Sequence, residues 1–239
     1  MSSLMKVEEV CKNFEQKNIL NKISFELPKG KIVAFLGQNG AGKTTALKIA
    51  AGLTAADSGR ITIENAPISI SKKDVAFIPD YPIMYEELTG IEYIKFILQI
   101  FELRYSSEKI EELVAQFDLK SEVDKKISSL SLGNKKKLSL LSALLNCPKL
   151  LLLDEFISGI DPINMLKIKK ILREYVEKGN SILLSTHQLE VAQAFCDSII
   201  LINNGEILRR NTEVSSILQT SNLEDYFIHT LSGGTITRE

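Results

Sequence analysis

The most constraining feature of the chain is the octet Gly37-Gln38-Asn39-Gly40-Ala41-Gly42-Lys43-Thr44, which follows the apolar run Ile32 to Leu36 and precedes a helical run from Thr45 to Leu53. It satisfies G-x-x-x-x-G-K-[ST] in the strand-to-helix context that gives the pattern meaning. In such a loop the glycines let successive backbone N–H groups point into one concavity, and the following helix adds positive potential. The loop from Gly37 to Thr45 therefore predicts a phosphate cradle for ATP. Lys43 is expected to neutralise the β and γ phosphates, and the Thr44 hydroxyl to ligate Mg2+.

The rest of the pattern fits an α/β fold. Ile23 to Leu27, Ile32 to Leu36, Val75 to Ile78, Leu150 to Leu153, Ile182 to Ser185 and Ile199 to Ile202 read as strands. Several are continuously apolar, as strands buried on both faces of a parallel sheet should be. Lys6 to Leu27 and Ile61 to Ile63 alternate instead, as in a half-exposed antiparallel layer. Asn204-Gly205 between two apolar runs marks a hairpin. From Thr89 to about Leu130 the pattern is helical, with Thr89 and Ser107 as candidate caps. The expected organisation is one 239-residue domain: a core of residues 1–80 and 148–210, an inserted helical subdomain at about 86–147, and a helical tail at 211–239.

Leu150-Leu151-Leu152-Leu153-Asp154-Glu155 carries two carboxylates to the carboxyl edge of the sheet, where the phosphate loop also lies. Asp154 is the candidate to hold Mg2+ through its water shell. Glu155, one residue beyond, is the candidate base for the attacking water.

With 29 Lys plus Arg against 30 Asp plus Glu, no global positive field favours nucleic acid, and no nucleic-acid partner is expected. Three scattered cysteines offer neither a disulfide framework nor a C-x-x-C zinc site and fit a reducing cytoplasm. No run reaches the length of a membrane span, so any membrane role is expected to come through a partner chain.

Together these residues resemble the ATP-binding cassette subunits of membrane transporters, over nearly the whole chain. The resemblance implies a P-loop NTPase core, a mostly parallel sheet with an antiparallel β layer, plus a helical subdomain. It places Phe14 where the family stacks an aromatic on adenine. It matches Leu130-Ser131-Leu132-Gly133-Asn134 to the signature segment, Ser158-Gly159-Ile160-Asp161 to the loop that touches the opposite subunit, and His187 to the switch histidine that reaches the γ phosphate. It also implies a second cassette subunit, in a homodimer or heterodimer whose two ATP molecules are completed by the partner's Ser131 and Gly133. His229 is expected at the surface or in the core.

Three positions depart from the family pattern: Asp80 stands at the usual Gln, Leu132 and Asn134 alter the signature, and Phe156-Ile157 replace Pro-Thr. Asp80 remains an oxygen ligand suited to Mg2+. Leu132 is expected to weaken closure, because a side chain there restricts the backbone if a positive φ is needed. Tyr81 to Leu88 reads either as packing between lobes or as a groove for a short helix of a transmembrane permease subunit, with Met84 and Tyr85 as contacts. Lys135 to Lys137 reads either as a solvated helix face or as a phosphate attractor.

The acidic residue at Asp80 and the string NLEDYFIHTLSGG resemble exporter cassettes of the ABC-2-like kind. The function so implied is ATP hydrolysis powering export, at the cytoplasmic face of the cell membrane through the permease. A regulatory nucleotide-binding cassette with weakened catalysis, or a soluble cassette acting on ribosomes or DNA, are the other readings.

Overall fold

The computed structural model describes residues 2–15 and 17–232. The strands are β1 (Ser3–Phe14), β2 (Lys17–Pro28), β3 (Ile32–Leu36), β4 (Ser58–Ile63), β5 (Ala66–Pro67), β6 (Val75–Ile78), β7 (Leu150–Asp154), β8 (Ser181–Thr186), β9 (Ser198–Asn203) and β10 (Glu206–Glu213). The helices are α1 (Lys43–Ala50), α2 (Ile68–Ser71), α3 (Gly90–Ile100), α4 (Ser107–Gln116), α5 (Leu132–Leu144), α6 (Pro162–Glu177), α7 (Leu189–Phe195), α8 (Val214–Leu218) and α9 (Leu223–Leu231).

Two sheets form. One is antiparallel in the order β2-β1-β4-β5, and the other runs β10-β9-β3-β8-β7-β6 with every pair parallel except β9 and β10. The apolar strands of the second sheet bury both faces. Val33, Phe35, Leu150, Leu152, Leu183, Ile200 and Ile202 face a core shared with α1 and the antiparallel layer. Ala34, Leu36, Leu151, Leu153, Ile182 and Leu184 face the other core, which continues through Ile94, Phe117, Leu130 and Leu141 of the helical insertion. The insertion is thus packed as an extension of one face of the sheet.

Local chemistry sets the helix starts. Thr89 and Glu92 form a reciprocal capping box at α3, with Glu92 Oε2 accepting from the Thr89 amide at 2.8 Å. The cap of α4 is Ser106, not Ser107: its backbone is extended and its Oγ accepts from the Lys109 amide at 3.3 Å, while Ser107 is already helical. At Asn204-Gly205 both residues have positive φ, as a tight two-residue hairpin requires. Because β10 continues to Glu213, the C-terminal helical part begins at Val214, not 211; the part of the tail at 233–239, with the last two residues of NLEDYFIHTLSGG, lies outside the described residues.

Candidate functional site

Strand order brings the site together. β8 lies between β3 and β7, so the loop after β3, the acids ending β7 and the histidine after β8 converge at one carboxyl edge. The loop after β3 is shaped by close approach: a Cβ on Gly37 would sit 2.4 Å from the Ile202 carbonyl oxygen. At Gly42, where φ is 103°, a Cβ would meet Leu20 at 2.8 Å. Glycine is required at both.

Lys43, 5% exposed, begins α1 and folds its ammonium back over the loop, donating to the Gly37 and Gln38 carbonyls at 2.8 and 3.2 Å. The same Nζ lies 3.3 Å from Glu155 Oε1, and Glu155 Oε2 lies 3.0 Å from His187 Nδ1. Lys43, Glu155 and His187 therefore form one chain of charged and polar contacts. Asp154 is buried, and its Oδ1 accepts from Ser185 Oγ at 2.5 Å. The Glu155 amide donates to the same Ser185 at both its carbonyl and Oγ, each at 3.1 Å, and Glu155 itself has φ 46°.

The wall of the cavity at the loop is formed by Lys17, Ile19, Asn39, Gly40, Gly42, Lys43, Thr44, Thr45 and Glu155. Thr44 and Asp154 offer hard oxygens suited to Mg2+. Among the described residues no group of three His, Cys, Asp or Glu side chains is placed to hold a metal ion. Ala41, at the base of the loop, is buried and its carbonyl accepts from the Gly205 amide at 3.1 Å.

Other candidate residues lie apart from this chain of contacts. Phe14, 50% exposed, ends β1 with the Lys12 ammonium 5.2 Å from its ring centre. Ser131 caps α5, its Oγ accepting from the Asn134 amide at 3.3 Å, which leaves the hydroxyl proton free to donate. Asp161 caps α6 through the Ile163 and Asn164 amides and binds Asn164 Nδ2 at 2.6 Å. Those bonds, from Asn164 above all, hold its carboxyl below the ordinary range. A Cβ on Gly133 would come 3.7 Å from Asn164 Nδ2, so the signature segment and the Ser158-to-Asp161 loop form one surface.

Several expectations are corrected. Leu132 is the first helical residue of α5 with no positive φ, and its Cδ2 lies 3.6 Å from where a Cβ on Gly159 would stand. It packs on the adjacent loop and strains nothing. Lys135, Lys136 and Lys137 are all buried, so they are neither a solvated face nor a phosphate attractor. Their ammonium groups reach Glu86 at 2.8 Å, the Phe156 and Ser158 carbonyls at 2.9 and 2.7 Å, and the Asp118 carbonyl at 3.1 Å. Burial pushes the Lys136 and Lys137 amines below the ordinary lysine range.

Asp80 is mostly exposed and lies 3.6 Å from Lys136 Nζ. Met84 packs against the helical core and Tyr85 stacks edge-on against Phe96 at 5.2 Å. Neither lines the groove of about 570 Å³ beside the insertion, whose wall includes Leu53, Phe77, Ile83, Tyr93, Ile97 and Phe101 with Lys48, Lys72 and Lys73 at its edge. His229 is exposed on α9. Sequence reasoning missed Ser185 and Lys17. Ser185 had a signal, since a hydroxyl inside a strand buried on both faces needs a partner.

Comparison with known proteins adds to this geometry. The family described as "ABC transporter" matches residues 20–158. The lantibiotic transport ATP-binding protein SrtF of Streptococcus pyogenes is 32% identical over 228 residues, spanning 94% of this chain and 96% of that protein. The Nod factor export ATP-binding protein I of Rhizobium sp. (strain N33) is 32% identical over 207 residues, spanning 83% of this chain and 67% of that protein. A solved structure described as the ATP binding subunit of an ABC transporter superposes with a TM-score of 0.86 at 28% identity, covering 96% of this chain and all of that one.

Proposed function

Since the chain belongs to the ABC transporter family and is an ATP-hydrolysing subunit that powers transport, we propose that it does so through Glu155 as general base, with Lys43 and His187 beside the γ phosphate. The observation that carries this reading is the Lys43–Glu155–His187 chain at 3.3 and 3.0 Å. A carboxylate within reach of both a phosphate-binding ammonium and an imidazole is placed to take a proton from water attacking that phosphate. Thr44 and Asp154 would hold Mg2+, which supplies charge neutralisation on the β and γ phosphates. Asp80 would have to exchange Lys136 to join them.

The backbone of Gly37 to Gly42, with Gln38, Asn39, Gly40 and Ala41, cradles the phosphates, Thr45 extends the cradle into α1, and the exposed Phe14 ring offers a stacking face for adenine. Ser131, Gly133, Asn134 and Asp161 share one surface and would serve the ATP of a second cassette, so that the nucleotide is part of the dimer interface.

The apolar groove edged by Lys48, Lys72 and Lys73 fits a short amphipathic helix of a permease carrying acidic residues at its end. No helix among the described residues is long and apolar enough to cross a membrane, so attachment to the cytoplasmic face would run through that partner. Export is the direction favoured by the names of the relatives. Purified chain should hydrolyse ATP with a Mg2+ requirement. Absence of turnover both alone and with its permease in vesicles would reject the reading in favour of a regulatory cassette.

A further inference from the structure

The Lys136 side chain is 1% exposed, yet no carboxylate is buried with it. Its ammonium donates to two carbonyls, of Phe156 at 2.9 Å and Ser158 at 2.7 Å, and pairs more loosely with Asp80 Oδ1 at 3.6 Å, in two other parts of the chain. Phe156 and Ser158 directly follow Glu155, in a turn closed by the Ser158 amide on the Glu155 carbonyl at 3.1 Å. Asp80 follows β6, and Lys136 itself lies just over one helical turn beyond Ser131 on α5. One ammonium therefore joins the signature helix, the loop that aims Glu155 and the acid after β6.

Stability does not account for this arrangement. An ammonium buried against one exposed acid and two carbonyls gains less than an apolar side chain of the same volume does in such a place. Asp80, being largely in water, contributes a screened attraction only. What the arrangement does provide is geometric: α5 cannot shift without pulling on the carbonyls that fix the backbone behind Glu155, and Asp80 cannot leave without stripping the buried ammonium of its nearest carboxylate.

We propose that Lys136 is a positioning residue that fixes the Glu155 loop relative to the signature helix and holds Asp80 beside it, so that movement of α5 is felt at the base. This rests on the ATPase reading above. Among the described residues no hydrogen bond or ion pair joins Lys136 to the phosphate loop or to Lys43, so its loss should act on turnover and spare nucleotide affinity.

The test uses the full chain and Mg-ATP. Lys136→Met should lower kcat tenfold or more with KM and equilibrium ATP affinity within threefold of wild type, and Lys136→Arg should restore at least a third of the wild-type kcat. Asp80→Asn should also lower kcat, and the double variant with Lys136→Met should be no slower than Lys136→Met alone. A kcat within twofold of wild type in Lys136→Met overturns the proposal. So does a joint fall in affinity, kcat and melting temperature that arginine does not rescue, because that is the mark of a purely structural lysine. If Lys136→Met does not fold, wild-type turnover in Asp80→Asn overturns it, and lowered turnover there that raised Mg2+ does not restore, together with at least a third of the wild-type kcat in Lys136→Arg, supports it. Failure of the wild-type chain to bind ATP rejects the underlying reading instead, and is distinguishable because affinity is measured separately.

Discussion

Lys43 Nζ lies 3.3 Å from Glu155 Oε1, so the cation proposed to receive the γ phosphate is already paired with the proposed base. Phosphate arriving at Lys43 must compete with that carboxylate and repel it. Glu155→Gln removes the competitor and keeps the shape, so ATP should bind at least as tightly as to wild type. Turnover should fall by about 10²- to 10⁴-fold, the usual contribution of a general base. A fluorescence titration with a single-turnover assay checks both, and wild-type turnover in the variant removes Glu155 from the mechanism.

Lys43→Ala should weaken ATP binding. A bond from a charged donor contributes roughly 1.5 to 3 kcal/mol, which corresponds to a rise in Kd of about tenfold to a hundredfold. The variant also frees the Gly37 and Gln38 carbonyls that the ammonium now satisfies. Titration with a fluorescent ATP analogue is the measurement, and an unchanged Kd excludes Lys43 as the phosphate contact.

Much of this site is readable in the sequence because its parts are short strings at strand ends: Gly37 to Thr44 after β3, Asp154-Glu155 closing β7, His187 after β8. What is not readable depends on contacts between residues far apart in the chain. Lys136 meets Phe156, Ser158 and Asp80 at separations of 20, 22 and 56 positions, and nothing local distinguishes it from a solvated lysine. The same holds for Ile83, whose place in the groove depends on how the insertion packs against β6. The Ser106 cap was missed for a different reason. Two adjacent serines compete for one role, and backbone conformation decides between them.

Ile83 is 85% exposed on the groove wall. Ile83→Asp should abolish co-purification with the permease from membranes while leaving the ATPase activity of the isolated chain within twofold. Undiminished co-purification would place the partner surface elsewhere.

Leu132→Gly should not strengthen ATP-driven association, because the backbone at 132 is already helical and unstrained. Removing the contact with the Gly159 loop and adding a helical glycine should cost about 1 kcal/mol of stability. Sedimentation of the variant in a Glu155→Gln background checks this, and a clearly tighter dimer would show that the leucine obstructs closure after all.

Glu64 pairs with Lys149 at 2.8 Å and with Lys29, tying the antiparallel layer to the body of the chain, and the hydrogen bond from Lys149 leads in holding its pKa down at about 2. A lowered folded-state value stabilises above the unfolded value, near 4.3, and that contribution is lost as pH falls toward 2. With Glu64 over a third exposed, screening limits it to about 1 kcal/mol or less. Urea midpoints should show Glu64→Gln less stable than wild type at pH 7, the gap narrowing toward pH 2. A gap independent of pH would mean that the ion pairs contribute nothing.

Glu155 sits at φ 46°, a conformation that side chains other than glycine and asparagine adopt at a cost of order 1 kcal/mol. The acid is therefore kept against the preference of its own backbone. Once selection for turnover is relaxed, drift to glycine or asparagine would relieve that strain as well as abolish hydrolysis. A lineage carrying such a change would shed that strain along with its turnover, leaving a subunit that grips ATP without consuming it.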